Sequence, residues 1–161
     1  MMTNEQFTGF AQRYIDTVFR VAYNYLKSSA DADDVTQNVF LKLLNEKKDF
    51  ESDAHVKNWL IRVTINECKD MSRSRWRKME SFEDYADTLV FDNPSHSDLF
   101  YAVMALPKKY RLPIYLHYYE DYSTEEIGKI LKLPKNTICS QLRRGRDLLR
   151  KSLQEEVQSN V

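Results

Sequence analysis

Residues Ser123–Leu149 read STEEIGKILKLPKNTICSQLRRGRDLL. Ser123 followed three residues later by Glu126 is a capping box, in which a hydroxyl and a carboxylate satisfy the free amides of a helix start. The short helix this predicts carries Ile127, Ile130 and Leu131 on one side. Lys132–Pro134 breaks the period, because proline cannot continue a helix it has not begun. A last helix follows, with Ile138, Leu142, Gly145, Leu148 or Leu149, and Leu153 inward and most arginines outward. Helix, tight turn and basic second helix together form a helix-turn-helix pattern, which can lay its second helix in a DNA major groove.

Working back toward the N-terminus, Leu99 or Phe100, Val103 and Leu106 recur at helical spacing, and Pro107 fits the first position of a helix running to Tyr119. Pro113 inside that pattern predicts a kink or a tight first turn. Thr3 with Gln6 is another capping box, opening a helix of about Asn4 to Leu26 whose stripe is Phe7, Phe10, Tyr14, Val18, Val21 or Ala22, and Tyr25. Ser28 or Ser29 can cap a second helix with Asp31, Asp33 and Asp34 in its first turn, where carboxylates oppose the positive dipole end. Its buried stripe is Ala32, Val35, Val39 and Leu43. The period lapses from Glu46 to Ser52, and Asp53 then caps a third helix with Val56, Trp59 or Leu60, Val63 and Cys68 on one side.

The chain has 161 residues, 42% apolar and 30% charged, with three glycines and four prolines. That is too apolar for disorder, too charged for a membrane protein and too poor in turn residues for a sheet fold. The fold class is therefore all-α, as two small helical domains over 1–79 and 98–157 joined by an acidic linker over 80–97. No stretch approaches the roughly 20 apolar residues of a bilayer span, and no basic-then-apolar leader opens the chain, so a cytoplasmic location is expected. Cys68 and Cys139 are far apart and the three histidines form no ligand pairs, so neither metal, cofactor nor disulfide is expected. No glycine-rich phosphate loop and no nucleophile beside a base is present, which points away from an enzyme.

The formal net charge of zero hides a pattern. Lys57–Met79 holds seven basic residues against two acidic, a net +5; Glu80–Asp98 holds six acidic and no basic, a net −6; Lys132–Lys151 holds seven basic against Asp147, a net +6. Each basic segment suits a phosphate backbone.

Three stretches, covering nearly the whole chain in order, resemble the bacterial RNA polymerase sigma factors of the extracytoplasmic-function (ECF) group. DADDVTQNVFLKL, Asp31–Leu43, is similar to the helix that grips the clamp of the polymerase largest subunit. The resemblance implies core-polymerase contacts from Asp31, Asp34, Gln37, Asn38, Phe40 and Leu41. HVKNWLIRVTINECKD, His55–Asp70, continuing into MSRSRWRK, resembles the segment that melts and reads the minus-ten promoter element. Melting without ATP requires that binding of unstacked bases offset lost stacking, a few kcal/mol per flipped base. By resemblance the loop from about Lys48 to Val56 forms the base pocket, with Asn58 and Asn66 as polar contacts and Lys57, Arg62, Lys69, Arg73 and Arg75 on phosphates. Trp59 is either core or a stacking platform.

LPKKYRLPIYLHYYEDYSTEEIGKILKLPKNTICSQLRRGRDLL, Leu106–Leu149, resembles the minus-thirty-five reader. This implies base readout by Lys135, Asn136, Thr137, Ser140 and Gln141, with Arg143, Arg144 and Arg146 mainly on phosphates. Asn136, Cys139 and Gln141 stand where relatives often carry glycine, lysine and arginine, which alters the expected promoter sequence because glutamine pairs with adenine where arginine prefers guanine. The resemblance further implies contact with the flap of the second-largest subunit, and an anti-sigma factor as a partner of the same surfaces. The linker, at most about 60 Å when extended, can tether two readers of separated sites. Its carboxylates, Glu83, Asp84 and Asp87 among them, either pair with the basic segments in the free protein or follow a basic channel in the enzyme. The alternatives are a helix-turn-helix regulator that binds duplex DNA without joining polymerase, which leaves the first half unexplained, and a helical adaptor that binds only proteins, which the basic segments oppose.

Overall fold

The computed structural model describes residues 2–78 and 98–159, for residues 75–78, 98 and 156–159 the backbone alone. The described residues form seven helices and no strand: α1 Asn4–Leu26, α2 Ser29–Leu44, α3 Asp53–Lys78, α4 Asp98–Ala105, α5 Lys108–Tyr118, α6 Thr124–Leu131 and α7 Lys135–Ser159. The chain divides into two compact units between Leu89 and Val90. The acidic segment expected over 80–97 lies outside the described residues.

In the first unit α1, α2 and α3 pack on one another. Both sides of the Thr3–Gln6 capping box form, each amide meeting the other residue's side chain. Ser28 caps α2, its Oγ accepting the Asp31 N–H at 3.3 Å. The α3 cap is Ser52 rather than Asp53: its Oγ accepts the His55 N–H at 3.2 Å, and its carbonyl accepts that of Val56. Asp53, freed from capping, pairs with Arg13 of α1 at 3.1 Å, and the Tyr14 hydroxyl donates to its carbonyl. The core is Val18, Val21, Ala22, Ala32, Val35, Val39, Leu43, Val56, Leu60, Ile61, Ile65 and Cys68. Of Trp59 and Leu60 the buried one is Leu60, and Val63, expected inward, is half-buried like Trp59 while Ile61 and Ile65 are buried in its place. The α2 stripe is wider than the expected four residues, because α1 and α3 both cover this helix and take in Asp31, Thr36 and Phe40 as well.

In the second unit α5 and α7 form the centre, with α4 and α6 against α7. Pro107 precedes α5 as its cap residue rather than its first helical residue, since its ψ of 145° is extended. The first turn is tight: the Tyr110 and Arg111 amides both bond the Pro107 carbonyl. Helix α5 continues through Pro113 to Tyr118. Arg111 is buried and donates from Nη1 to the Leu106 carbonyl at 3.1 Å. The Ser123–Glu126 capping box forms as the sequence predicts. Lys132 takes the left-handed conformation, φ 57° and ψ 46°, and the Lys132 and Leu133 amides both bond the Gly128 carbonyl. The turn and α6 approach so closely here that a Cβ on residue 128 would stand 2.8 Å from the Leu133 carbonyl oxygen. Gly145 meets the same constraint where α7 crosses α5, with a Cβ falling 3.0 Å from Ile114 Cγ1.

Candidate nucleic-acid interface

Helix α2 presents Asp34, Gln37, Asn38 and Leu41 to solvent at spacings of three and four residues, which places them on one face. Leu41 and Leu44 are about half exposed. An apolar side chain exposed beside amides and a carboxylate is what a protein contact uses; Leu44 joins this face although the sequence pattern did not single it out. Two residues expected here are elsewhere. Asp31 is buried in the first turn of α2, and Phe40 is buried with its ring edge-on to Phe7 of α1 at 6.4 Å. Both lie on the side of α2 that α1 and α3 cover, so neither is available to a partner.

Helix α3 carries a polar stripe. At about 100° per residue, Asn58, Arg62, Asn66, Lys69 and Arg73 fall within about 80° of one another, a line about 22 Å long. Arg62, Asn66 and Arg73 are exposed, and Asn58 and Lys69 are half-buried. Arg73 has Asp70 at 3.9 Å, both largely exposed, too loose to withhold the guanidinium. Lys57 stands about 100° off the edge of this stripe and is half-buried, so it does not share the face. Arg75 lies within α3, but its side chain is outside the described residues.

The loop before α3 is an aromatic cluster. The Phe50 ring stands edge-on to Trp59 at 5.7 Å and to His55 at 5.2 Å. The Glu51 N–H donates to His55 Nδ1 at 3.1 Å, and the Lys47 and Lys48 amides both bond the Glu46 carboxylate, so the loop is held by its own hydrogen bonds. Phe50 and His55 lie in the loop expected to form the base pocket but were not singled out within it; their signal was two aromatic rings bracketing the start of the helix that carries Trp59. Trp59 is half-buried, neither wholly core nor wholly exposed, and its ring meets Phe50 in the cluster. The Tyr25 phenol is held above the usual tyrosine range by burial, then by its electrostatic interaction with Cys68, against a smaller opposing pull from Arg73.

On α7, Asn136, Ser140 and Arg143 fall within about 60° of one another on the side away from the core residues Ile138, Leu142 and Gly145. Arg144 is exposed beside this face. Arg146 is exposed and donates from Nη1 to the Tyr118 hydroxyl at 2.9 Å. Lys135, the first helical residue, bonds Glu125 at 3.1 Å. Thr137 and Gln141 are half-buried on the flank, and Gln141 Oε1 is buried without a hydrogen-bond partner among the described residues. Gln141 is therefore turned toward the unit rather than toward a groove. Among the described residues no group of three or more His, Cys, Asp and Glu side chains is arranged to hold a metal, and no helix is long and apolar enough to cross a membrane.

Two helical units, each with a basic helix face, define a two-part DNA-binding protein, and comparison with known proteins gives the class. Residues 10–78 match the family described as Sigma-70 region 2, and residues 97–149 match Sigma-70, region 4. The chain belongs to the sigma-70 family of RNA polymerase sigma factors and, with the relatives it matches, to its ECF group. It is 29% identical over 150 residues to the ECF RNA polymerase sigma factor SigE of Mycolicibacterium smegmatis, covering 86% of this chain and 58% of that protein. With the ECF RNA polymerase sigma factor SigW of Bacillus subtilis it shares 26% over 169 residues, covering 94% of this chain and 90% of the other. Its fold is that of the sigma factor RpoE of Bartonella quintana, solved in complex with the anti-sigma factor NepR, at a TM-score of 0.80 and 21% identity over 92% of this chain and 96% of that one.

Proposed function

We propose that the chain binds core RNA polymerase and directs promoter-specific initiation, its first unit holding the polymerase and opening the minus-ten element and its second reading the minus-thirty-five element. The observation that carries this is the pairing, within the first unit, of an exposed α2 face with the polar stripe of α3. A regulator that only binds duplex uses the second unit and leaves both features idle. The domain limits are 1–79 and 98–157, joined by the acidic segment.

Asp34, Gln37, Asn38, Leu41 and Leu44 form the polymerase contact, with Leu41 as the apolar anchor. Arg62, Lys69 and Arg73 line phosphates along α3, and Asn58 and Asn66 offer paired donors and acceptors to base edges. The Phe50, His55 and Trp59 rings supply the apolar wall on which an unstacked base rests, a contact worth about 1–3 kcal/mol per base and so comparable to the stacking it replaces. In the second unit Asn136, Ser140 and Arg143 enter the groove, while Arg144 and Arg146 neutralise the backbone on either side. The protein performs no chemistry of its own; it lends specificity to the polymerase, in the cytoplasm where both reside. A partner like NepR of the Bartonella complex would cover the exposed α2 face.

Run-off transcription with core polymerase on a promoter-fragment library tests the proposal. Start-site-specific transcripts that require the protein are expected. Asp34→Ala with Leu41→Ala should lower core affinity about tenfold or more without loss of folding. Arg62→Ala with Asn66→Ala should spare core binding and reduce open-complex formation. A chain that yields no transcript and does not bind core would overturn the proposal, and duplex binding without core binding would turn it to the regulator.

A further inference from the structure

The cations of α7 are not equivalent. Lys135 is tied to Glu125 of α6 at 3.1 Å and Arg146 to the Tyr118 hydroxyl at 2.9 Å, whereas Arg143 and Arg144 make no hydrogen bond or ion pair among the described residues. The Glu125–Lys135 pair has no evident structural task. The side chains are 69% and 56% exposed, respectively, and such pairs add little stability. The α6 start is already capped by Ser123 and Glu126, so Glu125 is not needed there. What the fold does provide is a fixed mount. The hydrogen bonds from the Lys132 and Leu133 amides to the Gly128 carbonyl and the close approach of α6 to the turn leave the backbone little freedom between the two residues.

We infer that Glu125 is a positioning residue that withholds the Lys135 ammonium from DNA phosphates until α7 is seated, and so widens the margin between promoter and non-promoter duplex. The inference rests on the assignment of α7 to duplex DNA. A chance encounter must give up the ion pair and bring a carboxylate toward phosphates, so Lys135 contributes less to it than an unpaired cation would. In the seated complex α7 presents its first turn to the groove, and Lys135 exchanges one anionic partner for another at fixed geometry. The count of phosphates neutralised in non-specific binding is then up to one lower than the number of cations on the helix would give.

That count is readable from salt dependence. Anisotropy titrations of the full chain on a labelled scrambled duplex, from 50 to 200 mM salt, compare it with Glu125→Gln, Lys135→Ala and the double variant. Releasing Lys135 should steepen the slope of log K against log salt by up to about 0.9, so that Glu125→Gln loses up to about 3.5-fold more affinity across this range than the native chain and binds more tightly at 50 mM. In the Lys135→Ala background the same replacement should leave the slope where it was. An equal steepening in both backgrounds would mean that only net charge counts, and an unchanged slope would mean that Lys135 is already engaged; either overturns the inference. A Glu125→Gln chain that loses thermal stability and DNA affinity together would make the pair structural and overturn it too. If Arg143→Ala with Arg144→Ala leaves the native slope unchanged, the assignment of α7 to duplex DNA itself fails, which the other outcomes leave standing.

Discussion

Lys132 ends α6 in the left-handed region, φ 57° and ψ 46°, where a Cβ crowds the following carbonyl. That conformation costs an ordinary residue about 1–2 kcal/mol, and glycine adopts it freely. Lys132→Gly should remove this strain while adding about 0.5–1 kcal/mol of chain entropy to the unfolded state, a net stabilisation of about 1 kcal/mol. Because the second unit is only Val90–Val161, a gain of that size corresponds to about 4–8 °C in its midpoint. Lys132→Ala is the control, since it removes the same charge and keeps the Cβ. Calorimetry of the full chain, with hydrogen exchange at the α6 and α7 amides, locates the effect in this unit; both tryptophans are in the other. Should Lys132→Gly prove no more stable than Lys132→Ala, the backbone would not be strained at this position and the reasoning would be refuted. The same substitution at Lys27, φ 55° at the end of α1, should raise the transition reported by tryptophan fluorescence instead.

The burial of Phe40 and the exposure of Leu41 make neighbouring residues behave oppositely. Phe40→Ala should cost the first unit about 3–5 kcal/mol in urea unfolding, while Leu41→Ala should stay within about 0.5 kcal/mol and affect only partner binding. At Gly145, replacement by leucine forces new atoms against Ile114 and Tyr110, and the overpacking cost of about 1–3 kcal/mol opposes a helix-propensity gain of about 0.8 kcal/mol; a lower urea midpoint for the second unit is expected. The raised Tyr25 pKa gives a sign in alkali. The unfolded chain releases this proton first, at about pH 10, so the contribution is intact below that pH and is lost as pH rises toward the higher folded value. Tyr25→Phe should therefore flatten the loss of stability above pH 10, and identical pH profiles for the two chains would count against the assignment.

The capping boxes at Thr3 and Ser123 and the turn after α6 were legible because each is settled within a few residues, by a hydroxyl reaching an amide three positions on. The order of basic and acidic segments was legible for the same reason, since charge is a property of the residue and not of its neighbours in space. The Ser52 cap was misplaced by one residue because both Ser52 and Asp53 can cap, and the choice falls to Arg13, a residue 40 positions away that takes the Asp53 carboxylate.

What the sequence by itself determined is therefore the set of helices, the helix-turn-helix, and the chemical character of the two basic helices. The tertiary structure decided which side of each helix remains outside. A 3.6-residue period marks the centre of a buried stripe and leaves its width open, and width depends on how many neighbours cover the helix. Two cover α2, which carries Asp31 and Phe40 inward and leaves Asp34, Gln37, Asn38, Leu41 and Leu44 out. The half-burial of Lys57 and Gln141, the meeting of Phe50 with Trp59 and the pairing of Glu125 with Lys135 were settled the same way, by contacts between segments that packing alone brings together.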